Sequence, residues 1–153
     1  MHILDFYTQY SQFYILDKGS PQRTDSDQFW TEEASKDRLA IEEGVLGVGT
    51  QCYGPVKATV VIRESENQNF DILKYDHIVE GSLQIKSGTI QIVDCPTSSI
   101  EFQTDIPIGD YRVRVYSLNL NSVVGDEGND SYEIEIWPGK LNLRKVIKRY
   151  SDN

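Results

Sequence analysis

The most restrictive feature of this sequence is a pair of alternating runs within residues 105–138. Apolar and polar side chains alternate over residues 111–118 and again over residues 132–137. Such period-two alternation between turn residues is typical of half-buried antiparallel strands. The stretch therefore predicts two paired strands joined by a polar, glycine-rich loop at residues 119–130.

The two runs carry opposite charges on their polar faces. Arg112 and Arg114 lie on the first run, and Glu133 and Glu135 lie on the second. Because opposite charges on neighbouring strands attract, we expect these side chains to pair across the ladder. This pattern predicts a sheet and indicates no activity.

Shorter β-type runs and turn residues fill most of the remaining chain. The runs lie at residues 10–17, 45–50, 56–63, 75–85, 89–94 and 100–104. Turn signals about every 8–12 residues favour a mainly β fold, an antiparallel β-sandwich of roughly seven to nine strands. We expect residues 1–153 to form a single domain, with residues 138–153 as an edge strand or a loosely docked basic tail.

One short helix is predicted near the front of the chain, over residues 31–43. Thr31 is a good N-cap, and carboxylates at Glu32 and Glu33 favour the positive end of the helix dipole. Gly44 is expected to stop the helix at its C-terminal end.

The charge is strongly negative and unevenly distributed. The formal net charge is −9, yet residues 138–153 hold five basic residues against Asp152, which leaves −13 for residues 1–137. Such a body repels phosphate, so direct binding of nucleic acid is not expected. It suits a basic protein partner, although negative charge also serves plain solubility.

Cellular location and redox state follow from what the sequence lacks. The N-terminus carries no secretory signal pattern, and no apolar run reaches the length of a membrane span. We therefore expect a cytoplasmic protein in which Cys52 and Cys95 are reduced, although the sequence leaves a bridge between them open. The sequence does not indicate an oligomeric state.

Signatures of catalysis and of metal binding are missing. There is no nucleophile elbow, and the glycines of residues 44–50 lack the Lys-Ser/Thr of a phosphate loop. A nucleophilic pair of His77 with Cys52 or Cys95 has no local support. Zinc would need more histidine or cysteine ligands, and the spacing in residues 126–130 differs from that of a calcium loop. We expect no enzymatic activity, no cofactor and no metal.

Two acidic segments are the candidate contact sites, at residues 25–43 and 126–130. Their carboxylates present negative charge much as a DNA backbone does, so a nuclease is a suitable partner; a solvated acidic surface is the alternative. A large aromatic among them is either a core anchor or, if exposed, a binding hot spot. The predicted partner-binding residues are Asp25, Asp27, Trp30, Glu32, Glu33, Asp37, Asp126, Glu127 and Asp130.

An ordered series of short sequence words carries a family resemblance. The words are YSQF from Tyr10, FWTEEA from Phe29, GVLGV from Gly44, the strand at residues 57–63, and IPIGDYR from Ile106. In this order they resemble the competence protein J family, which are inhibitors of the competence DNA-entry nuclease. The two organising strands are also similar to those of small bacterial immunity-like β proteins. The loop at residues 119–130 and the basic tail depart from the family pattern.

The leading hypothesis is a non-enzymatic, acidic inhibitor or immunity-type protein that binds and neutralises a nuclease. Two alternatives from other classes remain open. One is a sandwich module that binds a small ligand or carbohydrate through its tyrosines. The other is a calcium-dependent lipid-binding sandwich that uses the acidic loop at residues 126–130.

Overall fold

Eleven strands in two sheets make up nearly half of the chain that the computed structural model describes, residues 1–151. Asp152 and Asn153, the last residues of the predicted tail, lie outside this range. In chain order the strands are β1 (His2–Tyr7), β2 (Gln12–Asp17), β3 (Leu39–Glu42), β4 (Val45–Gly49), β5 (Pro55–Ile62), β6 (His77–Ile85), β7 (Thr89–Val93), β8 (Ile100–Asp105), β9 (Gly109–Leu118), β10 (Ser131–Pro138) and β11 (Lys145–Lys148). The α-helix is α1 (Glu32–Asp37), and single 3-10 turns lie at Ile72–Lys74 and Leu120–Ser122.

The strands form a six-stranded sheet in the order β1-β5-β10-β9-β6-β11 and a five-stranded sheet in the order β3-β4-β2-β7-β8. The prediction of a mainly β sandwich is confirmed, but two details of it were wrong. The predicted number of seven to nine strands was too low, since residues 1–151 contain eleven. Short strands at the sheet edges (β1, β3 and β11) give little alternation to detect. The sandwich is also not wholly antiparallel, since β10 runs parallel to β5.

The organising pair of strands lies at the centre of the six-stranded sheet, where β9 and β10 are antiparallel neighbours. Arg114 stands opposite Glu135 in this ladder, as expected. The shortest ion pairs of the two arginines go to the other neighbour, however. Glu80 on β6 accepts from Arg112 at 3.1 Å and from Arg114 at 2.8 Å. Charge complementarity was therefore correctly predicted for this face, and the partner strand was not.

The helix is shorter than predicted. Thr31 caps it as expected, since its hydroxyl oxygen accepts from the backbone N–H of Ala34 at 3.1 Å. The helix ends after one and a half turns, where Arg38 adopts a left-handed backbone with φ +63°. The following residues belong to β3, which pairs with β4, so the predicted helix over residues 31–43 was wrong beyond Asp37. Gly44 lies instead in the β3–β4 turn with φ +71°.

The core lies between the two sheets, and a second apolar cluster covers the outer face of the five-stranded sheet. There Phe29, Trp30 and Ala34 pack against Tyr14 and Ala40. Gly47 allows this approach, because a Cβ at that position would lie 2.8 Å from the ring of Phe29. Residues 18–31, which join β2 to α1, are thus held against the sheet by their aromatic side chains, and we name them the covering segment.

The C-terminal segment ties the six-stranded sheet to α1. Beside β11, the Asp37 carboxylate accepts from Arg144 at 2.7 Å and from Arg149 at 2.5 Å. The ring of His77 is completely buried between the same two regions. Its Nε2 donates to the carbonyl of Asp37 at 2.8 Å, and its Nδ1 accepts from the N–H of Tyr150 at 3.0 Å. In residues 1–151, no helix has the length and apolar character needed to cross a membrane.

Candidate protein-interaction surface

Four connections meet at one end of the sandwich, at residues 8–11, 50–54, 94–99 and 119–130, and we name this region the loop end. Backbone hydrogen bonds join the first two. The N–H of Thr8 donates to the carbonyl of Gly54 at 2.9 Å, and the N–H of Ser11 donates to that of Tyr53 at 3.1 Å. Thr50 returns a bond to the carbonyl of Ser11 at 2.9 Å. The loops therefore form one bonded unit.

Side chains fix the other two connections to this unit. The N–H of Cys95 donates to the hydroxyl of Thr8 at 2.8 Å. The N–H of Cys52 donates to the buried carboxylate of Asp130 at 3.0 Å, and Tyr132 donates to the same carboxylate at 2.6 Å. The Cys52 thiol donates to the carbonyl of Asp126 at 3.0 Å. The long loop at residues 119–130 is thus held at Asp126 and at Asp130.

Three tyrosines project from the loop end. Tyr7 is 74% exposed, Tyr10 is 58% exposed and Tyr53 is 39% exposed. The rings of Tyr10 and Tyr53 meet edge to face, with centroids 5.7 Å apart. Large exposed aromatics of this kind are enriched among the residues that dominate protein interfaces.

Tyr10 stands in the tight turn that leads from β1 in one sheet to β2 in the other, and its backbone conformation is unfavourable. Tyr10 has φ +61° and Ser11 has φ +55°, the signs that a type I′ turn requires at both central positions. Glycine, asparagine and aspartate are the residues that usually occupy such a turn, because a side chain in this region costs about 1–2 kcal/mol. The turn therefore displays a tyrosine in a backbone conformation that lowers stability.

A cleft of about 450 Å³ opens beside Tyr7 and Tyr53. Asp94, Asp126 and Glu127 contribute to its wall. The four connections of the loop end contain these three carboxylates and Asp130, and they contain neither lysine nor arginine. The cleft therefore combines aromatic surface with negative charge, a combination that attracts guanidinium and ammonium groups.

A second depression of about 380 Å³ lies on the α1 side of Tyr10, with Trp30 and Arg38 in its wall. The Trp30 indole is half-buried and donates to the side-chain carbonyl of Gln12 at 2.8 Å. The Arg38 guanidinium donates to Gln51 and stands 5.4 Å from the centroid of the Tyr150 ring. Trp30 is therefore an anchor of the covering segment whose edge reaches the surface.

The nine predicted partner-binding residues fall into three groups. Asp25, Asp27, Glu32 and Glu33 are exposed on the covering segment and the first turn of α1, and Asp126 and Glu127 are exposed at the loop end. Trp30 is half-buried. Asp37 and Asp130 serve contacts within the chain. Whether any of the nine touches a partner stays a prediction.

The pKa of Asp37 reflects its internal role. Burial raises this pKa, but hydrogen bonds and charges from Arg149 and Arg144 together lower it by more than burial raises it. The carboxyl therefore titrates below its usual range. Burial and Asp130 raise the pKa of the Tyr132 phenol well above its ordinary value. The pKa of the Cys52 thiol is also raised, by burial and then by Asp130, so the thiol stays protonated at neutral pH.

Tyr7, Tyr53 and Asp94 were not among the contact residues predicted from the sequence. They come from the end of β1 and from two separate connections, which only the strand order brings together. The available signal was indirect: the polar connections after residues 7, 49 and 93 are free of basic residues.

The candidate nucleophile pair is not formed, since both ring nitrogens of His77 are bonded to backbone groups. Cys52 and Cys95 are buried and free rather than bridged. Within residues 1–151, no group of three or more His, Cys, Asp or Glu side chains is placed to hold a metal ion.

Comparison with known proteins gives two structural matches. No family model matches the sequence, and no curated protein matches it. The crystal structure of ComJ from Bacillus subtilis, an inhibitor of the DNA degrading activity of NucA, superposes with a TM-score of 0.70 and 21% identity, covering 91% of this chain and 96% of that one. Crocagin biosynthetic gene J superposes with a TM-score of 0.55 and 15% identity, covering 91% and 98%. The predicted resemblance is therefore confirmed for the fold, which this chain shares with ComJ.

Proposed function

We propose that this protein is a cytoplasmic, non-enzymatic inhibitor that binds and neutralises a nuclease. The observation that carries the proposal is the ComJ fold over 91% of the chain, because ComJ inhibits the DNA degrading activity of NucA. Fold alone does not determine function, so the proposal also needs support from the surface.

The distribution of charge supplies that support. Asp25, Asp27, Glu32 and Glu33 are exposed within residues 25–33, and Asp126 and Glu127 are exposed at the loop end. A nuclease carries a basic surface where it holds the phosphates of DNA, and acidic groups on an inhibitor steer association with such a surface. The same charge disfavours direct binding of nucleic acid by this protein.

The chemistry of the buried groups favours a binding role over catalysis. The raised pKa of Cys52 keeps the thiol in its unreactive form, and His77 has no free nitrogen to serve as a base. The most polar surface groups are thus available for recognition rather than for bond making.

The proposal is tested by measuring DNA degradation with the purified protein and the nuclease encoded beside its gene. NucA is assayed in parallel, with ComJ as the positive control. We expect inhibition that saturates at a fixed ratio of the two proteins. The proposal is lost if the protein neither binds nor inhibits any nuclease, while ComJ inhibits NucA in the same assay.

A second candidate function is binding of a carbohydrate or other small ligand, which the exposed tyrosines beside the cleft favour. A neutral sugar would gain from the aromatic faces but little from the surrounding carboxylates, whereas a cationic partner would gain from both. Calorimetric titration with neutral oligosaccharides distinguishes the two, since binding there would support the second candidate.

A further inference from the structure

We propose that the loop end is the docking surface for the protein's partner, and that an arginine or lysine side chain of a basic partner protein enters the cleft beside Tyr7 and Tyr53. This inference rests on the proposed function and extends it to a specific surface. Of the two acidic segments predicted from the sequence, it selects residues 126–130 over residues 25–43 as the centre of recognition.

The loop end exposes a large aromatic area. Tyr7 ends β1, next to the two bonded connections that hold Tyr10 and Tyr53, and the side chains of Tyr7 and Tyr10 are more than half exposed. Tyrosine provides a large apolar contact with few rotatable bonds, which is why it is common in interface hot spots.

Hydrogen bonds fix the connections of the loop end before any partner binds. The connection between β1 and β2 is hydrogen-bonded to Tyr53 and Gly54, and through Thr8 to Cys95. Ordering a mobile loop weakens an interface, so a surface already fixed by such bonds loses less on association. The left-handed backbone of Tyr10 also favours a binding role for this surface, because strained residues of this kind concentrate at binding sites.

The negative charge of the cleft favours a cationic side chain as its occupant. The cleft is walled by tyrosine rings and by Asp94, Asp126 and Glu127. A guanidinium group stacks on an aromatic face and pairs with carboxylates at the same time. The opposite end of the sandwich lacks this character, since Lys18 and Lys86 lie there and Lys86 pairs with Glu43 at 3.1 Å.

The test uses an N-acetylated hexa-arginine amide as a probe for the basic surface of a partner. Backbone chemical shifts of the isotopically labelled protein are followed during titration. We expect the largest changes at Tyr10, Tyr53 and Asp126 to Gly128. Changes that are spread evenly over the acidic surface, or that centre on α1, would overturn the inference.

Two matched variants separate recognition from charge in general. Tyr10→Asn removes the aromatic ring but introduces a residue that tolerates the left-handed backbone, so the turn between β1 and β2 is retained. Ile108→Ala truncates a side chain that is 71% exposed at the opposite end. We expect Tyr10→Asn to weaken binding of the peptide at least about five-fold without lowering Tm, and Ile108→Ala to leave binding unchanged. Equal affinities for both variants would contradict the proposal.

The same variants in the nuclease assay distinguish this inference from the proposed function. If the native protein inhibits the nuclease and Tyr10→Asn inhibits it equally well, the docking surface is wrong while the proposed function stands. If the native protein inhibits no nuclease but the peptide binds at the loop end, the proposed function fails while the docking surface stands.

Discussion

The loop end and the outer face of the six-stranded sheet use the same kinds of residue in opposite ways. On the outer face Arg112, Arg114, Glu80 and Glu135 have side chains less than 10% exposed. Glu80 binds both arginines. At the loop end the carboxylates of Asp126 and Glu127 are exposed and have no ion-pair partner within residues 1–151.

The aromatic residues follow the same contrast. The Arg114 guanidinium lies 4.9 Å from the ring centroids of both Phe70 and Trp137, so aromatic faces enclose a cation that belongs to the chain. Tyr7 and Tyr53 stand open beside their cleft. The comparison teaches that the surroundings of a charge, rather than the net charge of −9, decide whether it stabilises the fold or remains available to a partner.

The largest expected effect comes from breaking the enclosed network. Arg114→Met retains the packing of the side-chain stem but leaves Glu80 and Glu135 buried beside one cation fewer. We expect the free energy of unfolding to fall by about 3–5 kcal/mol in urea titrations followed by tryptophan fluorescence. Lys57→Met, at an exposed position on β5, is the control and should change it by less than about 0.5 kcal/mol. A small loss for Arg114→Met would mean that the network is not stabilising.

The next effect concerns pH. Burial, and then the charges of Arg38 and Arg149, lower the pKa of His77 from 6.5 to about 4. Between these values the unfolded chain binds a proton that the folded chain does not, so stability is present above pH 6.5 and is lost as the pH falls toward 4. The shift corresponds to about 3 kcal/mol. We expect His77→Asn, which does not titrate, to show a shallower loss over this range, and parallel curves would refute the assignment.

A smaller effect of opposite sign is expected at the loop end. Ser11→Gly relieves the left-handed backbone while keeping the main-chain bonds to Tyr53 and Thr50. We expect the free energy of unfolding to rise by about 1 kcal/mol. Ser65→Gly, in an exposed loop, is the control and should give no increase, because there the change only adds freedom to the unfolded chain.

The smallest effect on stability is expected from the exposed carboxylates. Reversing Glu32 and Glu33 to lysine should cost less than about 1 kcal/mol, through the helix dipole. In an inhibited complex it should slow association at low salt, and salt should diminish the difference. Asp37 is left intact because Arg144 and Arg149 bind it. Glu64→Lys is the control, and an equal reduction for both would indicate an effect of net charge alone.

Alternation in the sequence predicted the central strands well. The runs at residues 111–118 and 132–137 became β9 and β10 with ends shifted by two residues at most. Both strands are long, and each has one face against the core, so their pattern is set locally by the pleat. The N-cap at Thr31 was also predictable, because it depends on residues within one turn.

The misplaced helix end shows where local reasoning failed. Arg38 adopts the left-handed conformation that usually indicates glycine, and the glycine at position 44 serves another turn. Leu39 and Ile41 then pair with β4, a contact that no helical pattern reveals. Tertiary pairing therefore overrides the local preference in these residues.

The loop end was less predictable than either element. Its connections come from four parts of the chain, and their proximity depends on the strand order. The sequence identified Asp126 and Glu127 by charge density, but Tyr7 and Tyr53 resemble ordinary strand residues until the fold exposes them. Recognition surfaces assembled from separate loops have no single sequence signature.

The position of β10 has a consequence for how the protein is made. This strand lies between β5 and β9, yet it is formed by residues 131–138. The β1–β5 pair and the β9–β6 pair therefore remain unjoined in this sheet until the ribosome has delivered residues 131–138. Partly synthesised molecules would expose strand edges, and the sheet would close in one late, long-range step. Its tyrosine-bearing end, whose loop at residues 119–130 is anchored through Asp130 just before β10, would gain its shape in the same step.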